Sequence, residues 1–168
     1  LKIPMGGFGG GIGGRLNPAT GAHYAAWLYP ESTPGGTARL KLIKFETWSQ
    51  FGYGGISSVP MADVVVPSAG TNWHSVRLAF QGNQIAVFYD NTRMINMIDS
   101  APYLSGGITL DMYTDATPYT LTVDEVKVTS LVVGDQYSIG VNNVLTVPAP
   151  GVLVNDSPMG AAPSVTLA

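Results

Sequence analysis

Apolar and polar residues alternate along most of this chain, and residues that favour turns interrupt the alternation. The clearest case is the stretch 73–98, in which apolar side chains occupy every second position around the turn-like sequences QGNQ and DNTR. A period of two is that of a strand with one buried face, and Gly, Asn and Asp favour the tight turns between such strands. These residues are therefore predicted to form a meander of short antiparallel strands.

The same pattern recurs in shorter runs over the first 130 residues. They are AHYAAWLY, ARLKLIKFETW, MADVVVP, SGGITLDMYT and YTLTVDEVKVTS. No window has the period of an amphipathic helix, and prolines interrupt the segments that are long enough to form one. The prediction is an all-β protein, an antiparallel two-sheet jelly-roll sandwich.

The stretch GGFGGGIGGR, residues 6–15, has the composition of a flexible linker. Phe8, Ile12 and Leu16 nevertheless fall on one phase of a strand, and NPATG at 17–21 is a turn signal. We therefore expect a hairpin between this glycine-rich strand and AHYAAWLY. Its register pairs Ile12 with Ala26, Gly14 with Tyr24, Gly9 with Tyr29, Gly11 with Trp27 and Arg15 with His23.

One face of this hairpin is bare glycine backbone beside the aromatic pair Trp27 and Tyr29. This face is a candidate sugar platform, because the apolar faces of pyranose rings stack on aromatic side chains while Arg15 and His23 read the hydroxyl groups. The alternative is packing, since glycine opposite a large ring also makes room for a side chain. The pattern leaves both interpretations open.

Three further residues are candidate glycan contacts. Trp48 precedes the glycine-rich sequence SQFGYGG, and exposed loop aromatics mark binding sites, although a Trp here would equally cap the core. Asp111 and Tyr113 share the strand face opposite the apolar residues of SGGITLDMYT, where Asp111 would hydrogen-bond hydroxyl groups.

Composition narrows the function classes. Of the 168 residues 11% are charged, the net charge is −3, and no cluster of Lys and Arg of the kind that binds nucleic acid is present. No apolar segment approaches the about 20 residues of a membrane-spanning helix. Cysteine is absent, which excludes disulfides and thiolate metal sites. Low charge with abundant Gly, Thr, Ser and Asn favours an extracellular or cell-surface protein, and the opening LKIPMGG favours a fragment or a processed product.

The composition changes after Ser130. Residues 132–168 carry almost no charge, several prolines and short runs rich in Val and Leu. We predict one β-sandwich domain over residues 1–131 and a β-rich extension over 132–168, which is too short to close a sandwich by itself.

Residues 10–130 resemble the concanavalin-A-like, laminin-G-like jelly-roll modules of large bacterial surface proteins. The resemblance is carried by GGIGGRLNPATGAHYAAWLYPE, LKLIKF, TNWHSVRLAFQGNQIAVFYDN, YLSGGITLDMYTDATPY and VDEVKV. It implies two packed antiparallel sheets, one of them concave, and further strands before the start of this chain, either missing or supplied by another chain. Residues 135–168, on DQYSIGVNNVLTVPAPGVLVND, resemble the first strands of the Ig- or cadherin-like repeats of the same proteins.

The resemblance also suggests a metal ligand. In YTLTVDEVKV the apolar phase changes at Asp124 and Glu125, which predicts a β-bulge. In concanavalin-A-like sandwiches related to bacterial β-glucanases, an Asp at the position of Asp124 binds a structural calcium that backbone carbonyls of the N-terminal part complete. Asp124 is therefore the candidate calcium ligand, and a solvated bulge is the alternative; no other cofactor is expected.

A catalytic role is not expected. The strands lack the alternating acidic residues of retaining glycosidases of this fold, and no G-x-S-x-G nucleophile elbow is present. The expected function is glycan binding or adhesion by a non-catalytic extracellular module. The rival is a structural subunit of an extracellular filament, in which edge strands pair between copies and the extension is donated head to tail.

Overall fold

The structure, a computed structural model, describes residues 1–4, 6–31, 36–113 and 118–129. Within these residues there are ten strands and no helix, so the predicted all-β class is confirmed. In chain order the strands are β1 Gly10–Leu16, β2 His23–Tyr29, β3 Arg39–Phe45, β4 Gly52–Tyr53, β5 Ile56–Ser57, β6 Ala62–Val65, β7 Val76–Gln81, β8 Gln84–Tyr89, β9 Thr92–Ile98 and β10 Gly107–Met112.

The strands form two larger sheets and one small hairpin. Five strands lie in the order β10-β1-β2-β3-β6, three lie in the order β7-β8-β9, and β4 pairs with β5. Every pairing between these strands is antiparallel. Residues Leu1–Val126 form one compact unit, and Lys127–Ala168 are grouped separately. The predicted boundary after residue 131 and the Ig-like extension lie outside the described residues.

The predicted meander over residues 73–98 is confirmed as β7, β8 and β9, each paired with the next. The turn between β8 and β9 contains Asp90 and Asn91, whose φ angles are 46° and 65°. Positive φ at both central residues is the geometry of a type I′ turn, whose twist matches that of the strands it joins.

The main core lies between the two larger sheets, with β7 over β1 and β2 and with β9 against β6. The strands that line this core, such as β2, β3 and β8, contribute every second residue to it, which is the physical basis of the period of two in the sequence. The fully buried members on β2, β3 and β8 are Tyr24, Ala26, Leu28, Leu40, Leu42, Ile85 and Val87.

Two short segments extend the three-stranded sheet beside the start of β7. Leu1 exchanges two backbone hydrogen bonds with His74, and Lys2 exchanges two with Thr122. The side chains of Leu1 and Ile3 are buried in the main core. Next to these segments, β7 covers one face of the glycine-rich strand β1.

Candidate functional site

The predicted register of the β1–β2 hairpin is confirmed over its paired length. Ile12 lies opposite Ala26, Gly14 opposite Tyr24 and Gly11 opposite Trp27. The glycine-rich stretch is therefore a strand in the middle of a sheet and not a linker.

The bare glycine face of β1 is filled by side chains of the chain itself. A Cβ at Gly9 would overlap the ring of Tyr29. A Cβ at Gly13 would overlap Thr109 and would lie 3.0 Å from Oδ2 of Asp111. The glycines therefore make room for side chains of the neighbouring strands, which is the packing interpretation of this face.

His23 is 2% exposed, and both of its ring nitrogens face acceptors. Nδ1 lies 2.6 Å from the carbonyl oxygen of Gly21, and Nε2 lies 3.2 Å from Oδ2 of Asp111. The ring stacks on Phe45, with centroids 4.5 Å apart and planes 4° from parallel. Burial lowers the pKa of His23, but the hydrogen bonds to Asp111 and Gly21 raise it, and the net shift is upward. The site favours an imidazolium that donates from both nitrogens.

Trp27 belongs to a second apolar cluster on the same outer face of the five-stranded sheet. Its ring lies 5.6 Å from that of Phe45 and 6.2 Å from that of Tyr29, centroid to centroid, and only 8% of the residue is exposed. Its indole N–H is buried and has no hydrogen-bond partner in the described part of the chain. Burial raises the pKa of Tyr29 to about 12. This predicted sugar platform is thus covered, and its role in binding stays a prediction.

The predicted pairing of Arg15 with His23 is wrong, because the Arg15 side chain does not lie on the outer face of the sheet. The pairing of β1 shifts at this residue, whose φ of 57° marks a bulge that turns the side chain to the other face. The guanidinium donates to the carbonyl oxygens of Gly82 at 2.8 Å and Tyr103 at 2.6 Å. Its central carbon lies 4.3 Å from the ring centroid of Phe80. Arg15 therefore ties the two sheets together, on the face of β1 opposite the predicted platform.

Trp48 is the exposed aromatic side chain of this region, with 56% of its surface open. It lies in the turn 46–50, which is closed by backbone hydrogen bonds to the carbonyl oxygen of Gln50. Its ring centroid is 6.3 Å from that of His23. Gly21 lies so close to Trp48 that a Cβ there would overlap the indole. One side of Trp48 is therefore held by packing while the other side faces solvent.

A shallow pocket of about 290 Å³ shares residues with the turn that carries Trp48. The residues that line it include the polar Glu46 and Gln50 and the aromatic Phe51 and Tyr53. Apolar rings with a few polar groups are the usual lining of a site for a small polar ligand. Sequence analysis had singled out Trp48 here but not the two polar residues.

Asp111 and Tyr113 differ in accessibility. The two carboxylate oxygens of Asp111 are occupied, Oδ1 by a hydrogen bond from the hydroxyl of Thr109 at 2.8 Å and Oδ2 by His23. Tyr113 is 53% exposed and meets Phe8 edge to face, with centroids 5.6 Å apart. The structure thus brings Trp48, His23 and Asp111 together in one chain of contacts, in which His23 is the buried middle member and Asp111 is half-buried.

Asp124 is the candidate calcium ligand of the sequence analysis. Its Oδ1 accepts a hydrogen bond from the amide of Glu125 at 2.8 Å, and Glu125 has a φ of 51° at the point of the expected change of phase. Among the described residues no group of three or more His, Cys, Asp or Glu side chains is placed to hold a metal ion. Calcium takes six to eight oxygens, so this carboxylate alone is not a calcium site, and calcium at Asp124 stays a prediction.

A buried ionic network was missed by the sequence analysis. Asp99 is 1% exposed and accepts hydrogen bonds from the hydroxyl of Tyr24 and from Nζ of Lys44, each at 2.6 Å. Burial raises the pKa of Asp99, but the hydrogen bonds from Lys44 and Tyr24 lower it, and the net shift is downward. The sequence contained a signal for this network, because Lys44 lies on the same phase of β3 as the buried Leu40 and Leu42. A charge on a buried phase requires a partner.

No protein-family model, curated protein or solved structure matches this chain. Within the residues that the structure describes, no helix has the length and apolar character needed to cross a membrane.

Proposed function

We propose that this chain is a non-catalytic extracellular module that binds glycans, and that a sugar ring stacks on Trp48. The placement of Trp48 carries the proposal: its indole is 56% exposed, yet it is held against Gly21 and His23. An aromatic ring that is fixed before binding loses little conformational freedom when a ligand stacks on it. Trp also combines a large apolar face with a polar N–H, which suits the mixed surface of a sugar.

The pocket beside Trp48 supplies hydrogen-bonding groups for the hydroxyls of the same ligand. The carboxylate of Glu46 accepts hydrogen bonds, and the amide of Gln50 both donates and accepts. Glu46 is the acidic group of this pocket, and no Lys or Arg lines it. We therefore expect a neutral polysaccharide rather than an anionic one.

The state of His23 supports a non-catalytic role. A general base needs a free nitrogen within reach of substrate, but both nitrogens of His23 face acceptors inside the protein. The hydroxyl of Thr109 bonds to Asp111 and not to His23, so the three residues do not make a nucleophile with its base. His23 instead acts as the support on which Trp48 rests.

The test is binding of the full chain to a panel of neutral and acidic polysaccharides, followed by comparison of two exposed tryptophans. Trp48→Ala is expected to lose about 1–2 kcal/mol of binding, close to a tenfold rise in Kd. Trp73→Ala is the matched control, because Trp73 is 51% exposed and precedes β7 on the other sheet. Circular dichroism checks that both variants fold.

Two results would count against the proposal. One is the absence of binding to every member of the panel, and the other is an equal loss in the two variants. Trp27→Phe tests the indole N–H of the covered platform, because it removes this buried N–H while keeping an aromatic ring. Unchanged binding by this variant shows that the N–H of Trp27 takes no part in binding.

A further inference from the structure

The imidazole of His23 is the first support of Trp48, the side chain on which the proposed function rests. The centroids of the two rings are 6.3 Å apart. The imidazole is itself fixed by the sheet, because it stacks on Phe45 with centroids 4.5 Å apart and planes 4° from parallel. Phe45 is buried in the outer apolar cluster together with Trp27 and Ile43. The sheet therefore sets the position of the ring against which Trp48 packs.

The backbone of Gly21 is the second support of Trp48, and it is bonded to the same imidazole. A Cβ on Gly21 would lie 2.7 Å from Cδ2 of the Trp48 indole, so the glycine backbone and the indole are in close contact. The carbonyl oxygen of Gly21 lies 2.6 Å from Nδ1 of His23. Both supports of Trp48 therefore meet at the imidazole of His23.

The two nitrogens of His23 face oxygen acceptors at the same time, Nδ1 the carbonyl of Gly21 and Nε2 the carboxylate of Asp111. An imidazolium carries two N–H groups and donates to both acceptors. A neutral imidazole carries one N–H and turns a lone pair towards the other acceptor. Hydrogen bonds to a carboxylate are stronger than those to a neutral carbonyl, so the neutral ring keeps its bond to Asp111 and loses its bond to Gly21.

Asp111 on β10 is the charged group that faces the His23 ring. The turn NPATG, which precedes β2, contains no titratable side chain. Arg15 of β1 and Lys44 of β3 donate hydrogen bonds on the opposite, inner face of the sheet. Glu46, which follows β3, is exposed to solvent. The charge of the ring is therefore coupled to Asp111 on one side and to the backbone beneath Trp48 on the other.

We propose that deprotonation of His23 releases Trp48 and weakens glycan binding, so that the chain binds glycans more tightly in acidic than in alkaline solution. This inference rests on the proposed glycan site at Trp48. When His23 is charged, its ring and Gly21 hold the indole in place before a sugar arrives. When His23 is neutral, the bond to Gly21 is lost and the indole must be ordered on binding, which corresponds to about a two- to tenfold rise in Kd.

The change in affinity follows the titration of His23. Burial lowers the pKa of His23, but the hydrogen bonds to Asp111 and Gly21 raise it, and the net shift is upward. The charged ring therefore persists above the usual histidine pKa of about 6.5. Affinity is highest below that pH and falls as the pH rises through the folded-state pKa. By linkage, binding of a glycan raises the pKa of His23 to the same extent.

The first experiment measures the Kd of the full chain for the neutral polysaccharides dextran, laminarin, xyloglucan and galactomannan. Isothermal titration calorimetry between about pH 5.5 and pH 9 covers the titration of a histidine. We expect Kd to rise about two- to tenfold with pH for the unaltered chain and to lack this rise for His23→Gln. Glu46 and Tyr53, which line the pocket, are present in both proteins, so their effects cancel in the comparison.

Asp111→Asn shifts the pH at which affinity changes. It keeps the shape of the side chain but removes the negative charge, and loss of this partner lowers the pKa of His23. The midpoint of the Kd curve should therefore move to lower pH, together with the imidazole signals of His23 in nuclear magnetic resonance spectra. A His23 that is only a packing support would leave the midpoint where it is.

His74→Gln is the matched control. The two nitrogens of His74 also face acceptors, Oδ2 of Asp90 and the carbonyl oxygen of Ala69, each at 2.8 Å. His74 lies beside the start of β7 on the other sheet, so its ring supports no part of the glycan site. We expect His74→Gln to bind with the same pH dependence as the unaltered chain.

A measurement on the free protein separates this inference from the proposed function. The indole N–H signal of Trp48 in a proton–nitrogen correlation spectrum is assigned by its absence in Trp48→Phe. This signal should move with the imidazole signals of His23 as the pH rises, and it should not move in this way in His23→Gln.

The outcomes distinguish the two proposals. A chain that binds one of the polysaccharides with a constant Kd overturns the inference and leaves the proposed function standing, as does a pH dependence that persists in His23→Gln. Absence of binding at every pH overturns both, and a Trp48 signal that still follows His23 then places the failure in the glycan site. If His23→Gln does not fold, an unmoved midpoint in Asp111→Asn overturns the inference.

Discussion

The side chains of His23 on β2 and Asp111 on β10 are joined by a hydrogen bond, with Nε2 of His23 3.2 Å from Oδ2 of Asp111. Strand β1 lies between the two strands that carry them. The contact crosses β1 above Gly13, where the absence of a side chain leaves room for both groups. The glycine-rich composition of β1 therefore has a structural cause on this face: side chains from the two neighbouring strands meet over its backbone.

Gly13→Ala tests this arrangement. The added Cβ would overlap the methyl group of Thr109 and would lie 2.9 Å from the carbonyl oxygen of Tyr24, so the strands must shift. We expect the free energy of unfolding to fall by about 1–3 kcal/mol, the usual cost of overpacking. Urea unfolding monitored by circular dichroism measures it.

Gly107→Ala is the matched control for that substitution. A Cβ at Gly107 on β10 would meet only Leu16, at 3.9–4.0 Å, which is ordinary contact. The free energy of unfolding of Gly107→Ala should differ from that of the unaltered chain by no more than about 0.5 kcal/mol.

Adding Thr109→Ser to Gly13→Ala removes the overlapping methyl group and should restore part of the loss of stability. Equal stability of the two alanine variants would contradict the close approach at Gly13.

The stability of the protein should fall as the pH rises through the folded-state pKa of His23. That pKa is raised by the hydrogen bonds to Asp111 and Gly21, so the charged ring stabilises the folded state. The contribution is complete below the unfolded-state pKa, about 6.5, and is lost as the ring deprotonates in the folded protein.

The measurement compares the unaltered chain with His23→Gln by urea unfolding between about pH 5.5 and pH 9. The difference in stability between the two proteins should shrink as the pH rises. The other histidine, His74, is present in both proteins, so its effect cancels in the difference. A difference that is constant or grows with pH would contradict an imidazolium at position 23.

Local patterns in the sequence were sufficient to predict the hairpins. The β1–β2 register followed from alternation on both sides of NPATG, and the meander β7–β8–β9 followed from alternation around QGNQ and DNTR. A turn of fixed length sets the register of the strands that it joins, so both signals lie within a few residues of the contact that they determine.

Contacts between distant segments could not be predicted in the same way. The pairing of Gly13 with Thr109 decides which side chains fill the glycine face, and no local pattern indicates it. The bulge at Arg15 reverses one side chain, and the carbonyl groups that accept its hydrogen bonds, those of Gly82 and Tyr103, are distant in sequence. Trp48 replaces Trp27 as the candidate binding residue, because Trp27 is buried and Trp48 is exposed. Burial depends on which distant segments meet, so the sequence pattern alone did not distinguish the two residues.

Asp99→Asn should destabilise the fold strongly. Asp99 and Lys44 form an ion pair at 2.6 Å with side chains that are 2% and 13% exposed, and the variant leaves the charge of Lys44 without its carboxylate. Breaking one side of a buried pair costs about 3–5 kcal/mol. Asp63→Asn is the control, because the Arg39–Asp63 pair is partly exposed and should contribute about 0–1 kcal/mol.

The same variant should remove part of the acid sensitivity of the protein. The pKa of Asp99 is lowered in the fold, so its contribution is present above the unfolded-state value, about 3.9, and is lost as the pH falls through the folded-state pKa. Unfolding free energies of the unaltered chain and Asp99→Asn should converge as the pH falls through this range. Parallel curves would contradict an ionised Asp99 in the folded protein.

Arg15→Lys should lower stability without changing glycan binding. Lysine keeps the charge but lacks the planar group that donates to Gly82 and Tyr103 while stacking on Phe80. We expect a loss of about 1–3 kcal/mol in unfolding free energy, because hydrogen bonds from a charged group and the stacking on Phe80 are lost together. Arg77→Lys is the control: Arg77 also stacks on a ring, with its central carbon 3.5 Å from the centroid of Phe88, but it is exposed and should change stability by less than about 0.5 kcal/mol. Loss of polysaccharide binding in Arg15→Lys at full stability would return this residue to the binding site that the sequence first suggested.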